Sequence, residues 1–139
     1  MGKSKLAFLV SGRGSNFKAI LEHIELGVLQ GVEPEIMITD NPNANAINIA
    51  EKNDVDSKTI KFKEESEKFE KKTSEVLAER NVDLVILAGF MRILGSHLID
   101  KYRGKIMNIH PALLPSFKGL NAQKQALEFG VKVTGCTIH

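Results

Sequence analysis

The sequence has few of the features that mark secreted, membrane-bound or nucleic-acid-binding proteins. Its one cysteine, Cys136, cannot form a disulfide within the chain, which fits a reducing compartment. No apolar run approaches the roughly 20 residues of a membrane-spanning helix, and the apolar stretch 6–10 is too short for a signal-peptide core. With 19 basic against 17 acidic residues and only 6% aromatic residues, nothing favours a nucleic-acid or membrane partner. We therefore expect a soluble, cytoplasmic protein.

The length and composition fit one small globular domain. A chain of 139 residues has the size of a single domain, and we expect that domain to span residues 1–139. The hydrophobic fraction of 42% is close to the globular average, so the chain can form a buried core. It contains no repeat and no low-complexity segment.

Short apolar runs alternate along the chain with stretches whose apolar residues recur at helical spacing. The apolar runs predict strands at residues 5–12, 34–39, 57–62, 82–89, 105–109 and 133–139. The helical stretches predict helices at residues 15–24, 44–52, 64–80, 96–102 and 121–129. Strands that alternate with crossover helices predict an α/β fold with a doubly wound, mainly parallel sheet.

Four details of these elements can be checked directly. Ser15 is positioned to cap the first helix, and Cys136 in the last strand is expected to be a small core residue. The highly charged third helix should be a solvated outer helix that buries Phe69, Val76 and Leu77. His23 and His97 are expected to be ordinary surface histidines.

Ligands of a doubly wound sheet bind at the carboxyl ends of its strands. The first loop at that edge, residues 11–16 (Ser-Gly-Arg-Gly-Ser-Asn), follows the first strand and opens a helix. Its glycines permit a tight turn with outward N–H groups, and the helix dipole favours an anion there. The loop lacks the third glycine of the dinucleotide fingerprint and the Gly-Lys-Ser/Thr of a Walker loop. It therefore favours a monophosphate, although a plain glycine-rich turn has the same sequence.

The loop at residues 89–94 follows the most apolar predicted strand. Its apolar, partly aromatic composition suits contact with a flat heterocycle. The alternative is that Phe90 and Ile93 simply pack beneath the next helix.

Residues 108–111, Asn-Ile-His-Pro, close another predicted strand. Strand alternation places Asn108 and His110 on the same side, with Ile109 directed into the core. An amide beside an imidazole suits acyl transfer, because the amide supports a developing oxyanion and the imidazole moves a proton. The alternative is a structural histidine next to a turn-forming asparagine. The peptide bonds before Pro111 and Pro115 are both candidates for the cis form.

Three segments together resemble the phosphoribosylglycinamide formyltransferase family, the folate-dependent enzymes of purine synthesis. They are residues 11–16 (SGRGSN), 87–94 (LAGFMRIL) and 108–115 (NIHPALLP), with further matches at Phe117, Gly119, 125–127 and 134–139. The Asn-x-His-Pro segment also occurs in related methionyl-tRNA formyltransferases and formyltetrahydrofolate hydrolases. The first loop favours the purine enzyme among these relatives.

The resemblance implies a Rossmann-like formyltransferase fold and a set of site residues. Gly14, Ser15 and Asn16 would hold the phosphate of glycinamide ribonucleotide. Met91, Arg92, Ile93 and Leu94, together with Asn108, would line the site of the formyl donor, 10-formyltetrahydrofolate. Asn108 and His110 would be the catalytic amide and imidazole. No metal is implied, and the oligomeric state is open.

The resemblance also implies residues that the sequence does not contain. The family's catalytic aspartate falls about seven residues beyond His139, so we interpret the chain as an amino-terminal, C-terminally incomplete portion of such an enzyme. The position aligned with an arginine near the folate tail is Ser66. Two alternatives therefore stay open: a non-catalytic domain that binds a nucleotide phosphate, and the related hydrolase.

Overall fold

A computed structural model describes residues 2–62 and 66–139, which form two compact units, Met1–Ile106 and Met107–His139. The strands within this described part are β1 (Ser4–Leu9), β2 (Val32–Thr39), β3 (Asp56–Thr59), β4 (Leu84–Leu87), β5 (Ile106–His110) and β6 (Thr137–Ile138). The helices are α1 (Ser15–Glu25), α2 (Asn45–Lys52), α3 (Ser66–Glu79), α4 (Ser96–Lys101) and α5 (Ala122–Phe129). Each predicted element is present with shifted ends. Residues 64 and 65 of the predicted third helix lie outside the described residues.

The first unit contains a parallel sheet with the strand order β3-β2-β1-β4. Its central strand β1 shows the two-residue alternation of a strand covered on both faces. Leu6 and Phe8 belong to an apolar cluster with Phe17 of α1, whereas Ala7 and Leu9 belong to another. The predicted doubly wound, mainly parallel α/β fold is confirmed.

The second face of the sheet is covered by α3 and α4. Phe69, Val76 and Leu77 of α3 are buried, as predicted, in the apolar cluster that also contains Ala7 and Leu9 of β1. Buried among them is a charged residue, Glu70, which is 2% exposed. Its carboxylate accepts hydrogen bonds from the N–H groups of Gly95 (2.5 Å) and Leu98 (3.2 Å) at the start of α4. Glu70 thus supplies the capping acceptor that Gly95, the N-cap residue of α4, lacks.

In the second unit, β5 and β6 pair in antiparallel fashion. Asn108 and His139 exchange both backbone hydrogen bonds, at 2.7 and 2.9 Å. The Oγ1 atom of Thr137 accepts from the N–H of Leu114 and donates to the carbonyl of Ala112, which ties the following loop to β6. The peptide bond between Leu114 and Pro115 is cis.

Two expectations about the end of the chain are wrong. The last strand covers Thr137–Ile138 rather than residues 133–139, and Gly135 before it lies against the side chain of Leu113. Cys136 is exposed and not a core residue, because it precedes the paired residues and strand alternation does not apply to it.

Ile109, which was expected to point into the core, is only half-buried. His23 and His97 are exposed, as predicted.

The helices offer no candidate for a transmembrane segment. No helix within residues 2–62 and 66–139 is long and apolar enough to cross a bilayer.

Candidate active site

The glycine-rich loop, residues 11–16, connects β1 to α1 in the first unit. Gly14 is the N-cap residue of α1 and has a left-handed backbone, with φ of 73°. Ser15 is the first helical residue and makes no capping hydrogen bond, so the prediction that Ser15 caps α1 is wrong. The reason is that an N-cap precedes the helical backbone, and the turn places Gly14 there. Ser15 and Asn16 are exposed.

This arrangement suits an anion. The first N–H groups of α1 have no acceptor within the helix, and they lie at its positive end. The first turn of α1 contains no acidic residue that would oppose a phosphate. The exposed side chains of Ser15 and Asn16 stand at the same helix end and carry hydrogen-bond donors.

Contacts from α2 hold the loop in this shape. The side-chain amide of Asn45 donates to the carbonyl of Arg13 (3.2 Å), and the N–H of Ala46 donates to the carbonyl of Gly12 (3.2 Å). Gly14 lies so close to α2 that an added Cβ would be 3.0 Å from the Cβ of Ala46. The glycine is therefore required both by its positive φ and by the space available.

We expect Gly14→Ala to destabilise the protein by about 2–4 kcal/mol, since the left-handed backbone costs about 1–2 kcal/mol and overpacking of similar size is added. Equilibrium urea unfolding measures the change. Gly27→Ala is the matched control, because Gly27 also has a positive φ of 71° but no neighbour within 4 Å of an added Cβ. Equal losses in the two variants would contradict the packing part of the argument.

The segment predicted to line the folate site, residues 91–94, is connected to the glycine-rich loop through Ser11. The N–H of Met91 donates to the Oγ of Ser11 at 2.9 Å, and the N–H of Ser11 donates to the carbonyl of Gly89 at 3.1 Å. Ser11 itself is 8% exposed. One buried serine thus joins two of the loops that the sequence analysis singles out, residues 11–16 and 89–94.

The side chains of this folate segment divide into anchored and exposed ones. The Nε of Arg92 donates to the Oδ2 of Asp40 at 2.8 Å. Leu94 packs against the core, whereas Ile93 is 91% exposed. The alternative that Phe90 and Ile93 pack beneath the next helix is therefore wrong for Ile93. Phe90 stacks on Phe69 of the preceding helix, α3, with ring centroids 5.6 Å apart.

In the second unit, Asn108 and His110 line one cavity of about 520 Å³. The prediction that strand alternation places them on the same side is confirmed. The other lining residues are Leu114, Pro115, Lys118, Gly119 and His139. None of these lining residues has a carboxylate side chain, so the side chains lining the cavity present an amide, two imidazoles and one ammonium group.

Hydrogen bonds fix the two polar strand residues of this cavity. The Nε2 of His110 lies 2.9 Å from the carbonyl oxygen of Phe117. Because a carbonyl only accepts, this nitrogen carries a proton, and Nδ1 is the basic nitrogen of the neutral ring. The side-chain N–H of Asn108 donates to the Nε2 of His139 at 3.1 Å. This contact uses one of the two N–H donors of the Asn108 amide and does not engage the second.

Sequence reasoning gave no role to four residues that shape these sites, namely Asp40, Phe117, Lys118 and Thr137, although Phe117 and Thr137 lie among the matches to the family pattern. Asp40 directly follows β2, so its place at the carboxyl edge of the sheet was a usable signal. Phe117 contributes only its carbonyl oxygen, which no side-chain pattern reveals. His139 was matched to the family pattern without a role, and the structure places it beside Asn108.

A larger cavity, of about 660 Å³, lies in the first unit between residues 58–61 and α3. Four lysines and two glutamates line it, namely Lys58, Lys61, Lys68, Lys72, Glu75 and Glu79. None of the predicted site residues reaches it, so its size alone does not make it the active site.

Comparisons with known proteins show sequences and structures that are similar to nearly the whole chain. Trifunctional purine biosynthetic protein adenosine-3 of Homo sapiens is 41% identical over 139 residues, which is 99% of this chain and 14% of that protein. The solved phosphoribosylglycinamide formyltransferase from Anaplasma phagocytophilum is 42% identical with a TM-score of 0.90, over 99% of this chain and 64% of that one. The enzyme of the same name from Bacillus halodurans is 38% identical with a TM-score of 0.93, over 98% and 71%.

A more distant structure is a formyltetrahydrofolate deformylase from Pseudomonas syringae, 25% identical with a TM-score of 0.91, over 99% of this chain and 45% of that one. The chain thus spans a small part of the trifunctional relative and about two thirds of the two formyltransferase structures. A sequence model of the family described as Formyl transferase matches residues 4–139. The chain therefore belongs to the formyl transferase family.

Proposed function

We propose that this protein transfers the formyl group of 10-formyltetrahydrofolate to the amine of glycinamide ribonucleotide, as a cytoplasmic enzyme of purine synthesis. The observation that carries the proposal is that Asn108 and His110 line one cavity in a chain of the formyl transferase family. The names of the solved relatives, phosphoribosylglycinamide formyltransferase, support this acceptor.

The phosphate of the ribonucleotide is assigned to the start of α1. Gly14 provides the turn, and Ser15 and Asn16 lie exposed at the positive end of an 11-residue helix. Without an acidic residue in that first turn, a dianionic phosphate gains from the helix dipole and the N–H groups together.

The folate donor is assigned to the segment Met91, Arg92, Ile93 and Leu94, with Asn108. Met91 and Ile93 are 65% and 91% exposed, so the segment offers apolar surface as well as backbone groups to a flat ring.

The chemistry is assigned to Asn108 and His110. The acceptor amine attacks the formyl carbon, and the carbonyl oxygen becomes an oxyanion, which the Asn108 amide and protonated His110 stabilise. The bond from that carbon to the folate nitrogen then breaks, and the proton lost by the amine reaches that nitrogen with help from the imidazole. The products are the formylated ribonucleotide and tetrahydrofolate, so atoms and charge balance without an oxidant.

The deciding experiment is a formyl-transfer assay with and without the amine acceptor. The proposal requires tetrahydrofolate to form only when glycinamide ribonucleotide is present, together with the formylated ribonucleotide. Release of formate without the acceptor would instead identify a deformylase, the activity named for one structural relative. Binding of the ribonucleotide without transfer would identify a nucleotide-phosphate binding domain.

We expect Ser15→Asp to raise the Kd of glycinamide ribonucleotide at least about tenfold, because a carboxylate close to the phosphate repels it by more than 1 kcal/mol. The variant should fold normally, since an acidic residue in the first turn of a helix is favourable. Calorimetric titration measures the Kd.

Ser96→Asp is the matched control, because Ser96 is the first residue of another helix, α4, and is also exposed. An unchanged Kd in Ser15→Asp, or an equal rise in Ser96→Asp, would remove the phosphate from the start of α1.

A further inference from the structure

Asp40 is a buried carboxylate at the carboxyl edge of the sheet. It directly follows β2, and its side chain is 3% exposed. Its Oδ2 accepts the hydrogen bond from the Nε of Arg92 at 2.8 Å. The guanidinium carbon of Arg92 also lies 5.0 Å from the centre of the Phe62 ring, so the ring and the carboxylate hold the same group.

The contact with Arg92 is energetically important for Asp40. The other oxygen, Oδ1, is buried and has no hydrogen-bond partner among the described residues. A buried carboxylate that lacked its cation as well would be uncompensated, which is strongly unfavourable. The side chain of Arg92 is 49% exposed, so the surrounding protein restricts its orientation only in part. The hydrogen bond to the buried Asp40 therefore holds the arginine in one orientation.

Arg92 belongs to the folate segment, and its neighbours show what this orientation does. Met91 is fixed by its N–H, which donates to Ser11. With Arg92 turned back to Asp40, two successive residues are anchored, and the next residue, Ile93, is directed outward. The segment is outside any regular helix or strand, so these side-chain anchors replace a hydrogen-bonded ladder.

We propose that Asp40 is a positioning residue for the formyl donor. Acting through Arg92, it holds the backbone of residues 91–94 in the shape that receives the folate ring. This inference rests on the proposed function, because it concerns the folate segment of that proposal. It assigns Arg92 the role of an anchor within the protein, rather than that of a charge offered to the ligand.

The test compares the binding of the two substrates in Asp40→Asn, which keeps the shape of the side chain and removes its charge. We expect the Kd of 10-formyltetrahydrofolate to rise about tenfold, within the usual range for coupled residues of one ion-pair network. The Kd of glycinamide ribonucleotide should stay unchanged. Asp100→Asn is the control, since it also removes a carboxylate 2.8 Å from an arginine nitrogen, but on an exposed pair.

A double-substitution cycle separates positioning from general loosening. Arg92→Gln should weaken donor binding as Asp40→Asn does, and the double variant should be no weaker than either single one. If Arg92→Gln does not fold because it leaves the buried Asp40 carboxylate without its cation, Asp40→Asn alone carries the test, since the arginine that it leaves unpaired is half exposed. Unchanged donor binding in these variants, additive losses, or equal losses for both substrates would overturn the inference. Failure of the unaltered protein to bind the donor would instead overturn the proposed function.

Discussion

Replacing His110 with alanine is expected to lower the rate of formyl transfer by about 100-fold to 10,000-fold, the usual contribution of a positioned acid–base group. The Nε2–H of His110 is held by the carbonyl of Phe117 at 2.9 Å, so in the proposed mechanism Nδ1 is the nitrogen available to take up and return the proton. Alanine leaves neither the proton carrier nor the cation beside the oxyanion. Single-turnover measurements with both substrates saturating give the effect on the chemical step.

His110→Gln is the control for structure. A glutamine amide can donate to a carbonyl such as that of Phe117 but cannot carry a proton at neutral pH. It should therefore preserve the thermal stability of the protein while losing as much rate as the alanine variant. Transfer at the rate of the unaltered protein in either variant would remove His110 from the mechanism.

Replacing Asn108 with alanine is expected to lower the rate about 100-fold or more, because one lost oxyanion donor costs about 3 kcal/mol of transition-state stabilisation. The pairing of the strands should survive, since Asn108 holds His139 through two backbone hydrogen bonds that do not involve the side chain. The loss should appear in kcat, with the Kd of glycinamide ribonucleotide unchanged. Rapid-quench kinetics and calorimetry measure the two quantities.

His139→Ala tests whether the Asn108 amide acts directly or only through its neighbour. It removes the acceptor that lies 3.1 Å from the Asn108 amide nitrogen but leaves the amide in place. We expect a smaller loss than in Asn108→Ala. An equal loss in both variants would mean that the amide serves mainly to hold His139, and the oxyanion role would have to be abandoned.

The sheet was predictable because its signals are local in sequence. In β1, alternate residues enter two different apolar clusters, as with Phe8 and Leu9, and such a run indicates a strand covered on both faces. The cavity partnership of Asn108 and His110 was predictable for the same reason, since two residues apart in a strand share a side.

The errors arise where the pattern does not determine the backbone. A serine before a helical run is a usual N-cap, but the turn that brings Gly14 against Ala46 moves the cap one residue earlier. The residues around Cys136 read as a strand from 133 to 139, yet only residues 137–139 pair with β5. Strand propensity alone does not decide which residues find a partner.

Other features depend on contacts between residues far apart in sequence. Glu70 in a charged helix reads as a solvated residue, and only the packing of α3 against α4 turns it into a buried cap. The pairing of Asp40 with Arg92 joins residues 52 positions apart. Neither partner carries a local signal of the other, so such contacts need the folded arrangement.

The contacts of Ser11 have a thermodynamic consequence. Its N–H and Oγ join the start of the glycine-rich loop to Gly89 and Met91, so a shift of this serine is felt in both segments. If a phosphate ligand bound at the glycine-rich loop changes the affinity of residues 91–94 for their ligand by some factor, that second ligand must change the affinity for the phosphate ligand by the same factor. Ordered or random addition of two substrates would then differ in rate, but the free energy of the ternary complex would be the same by either route.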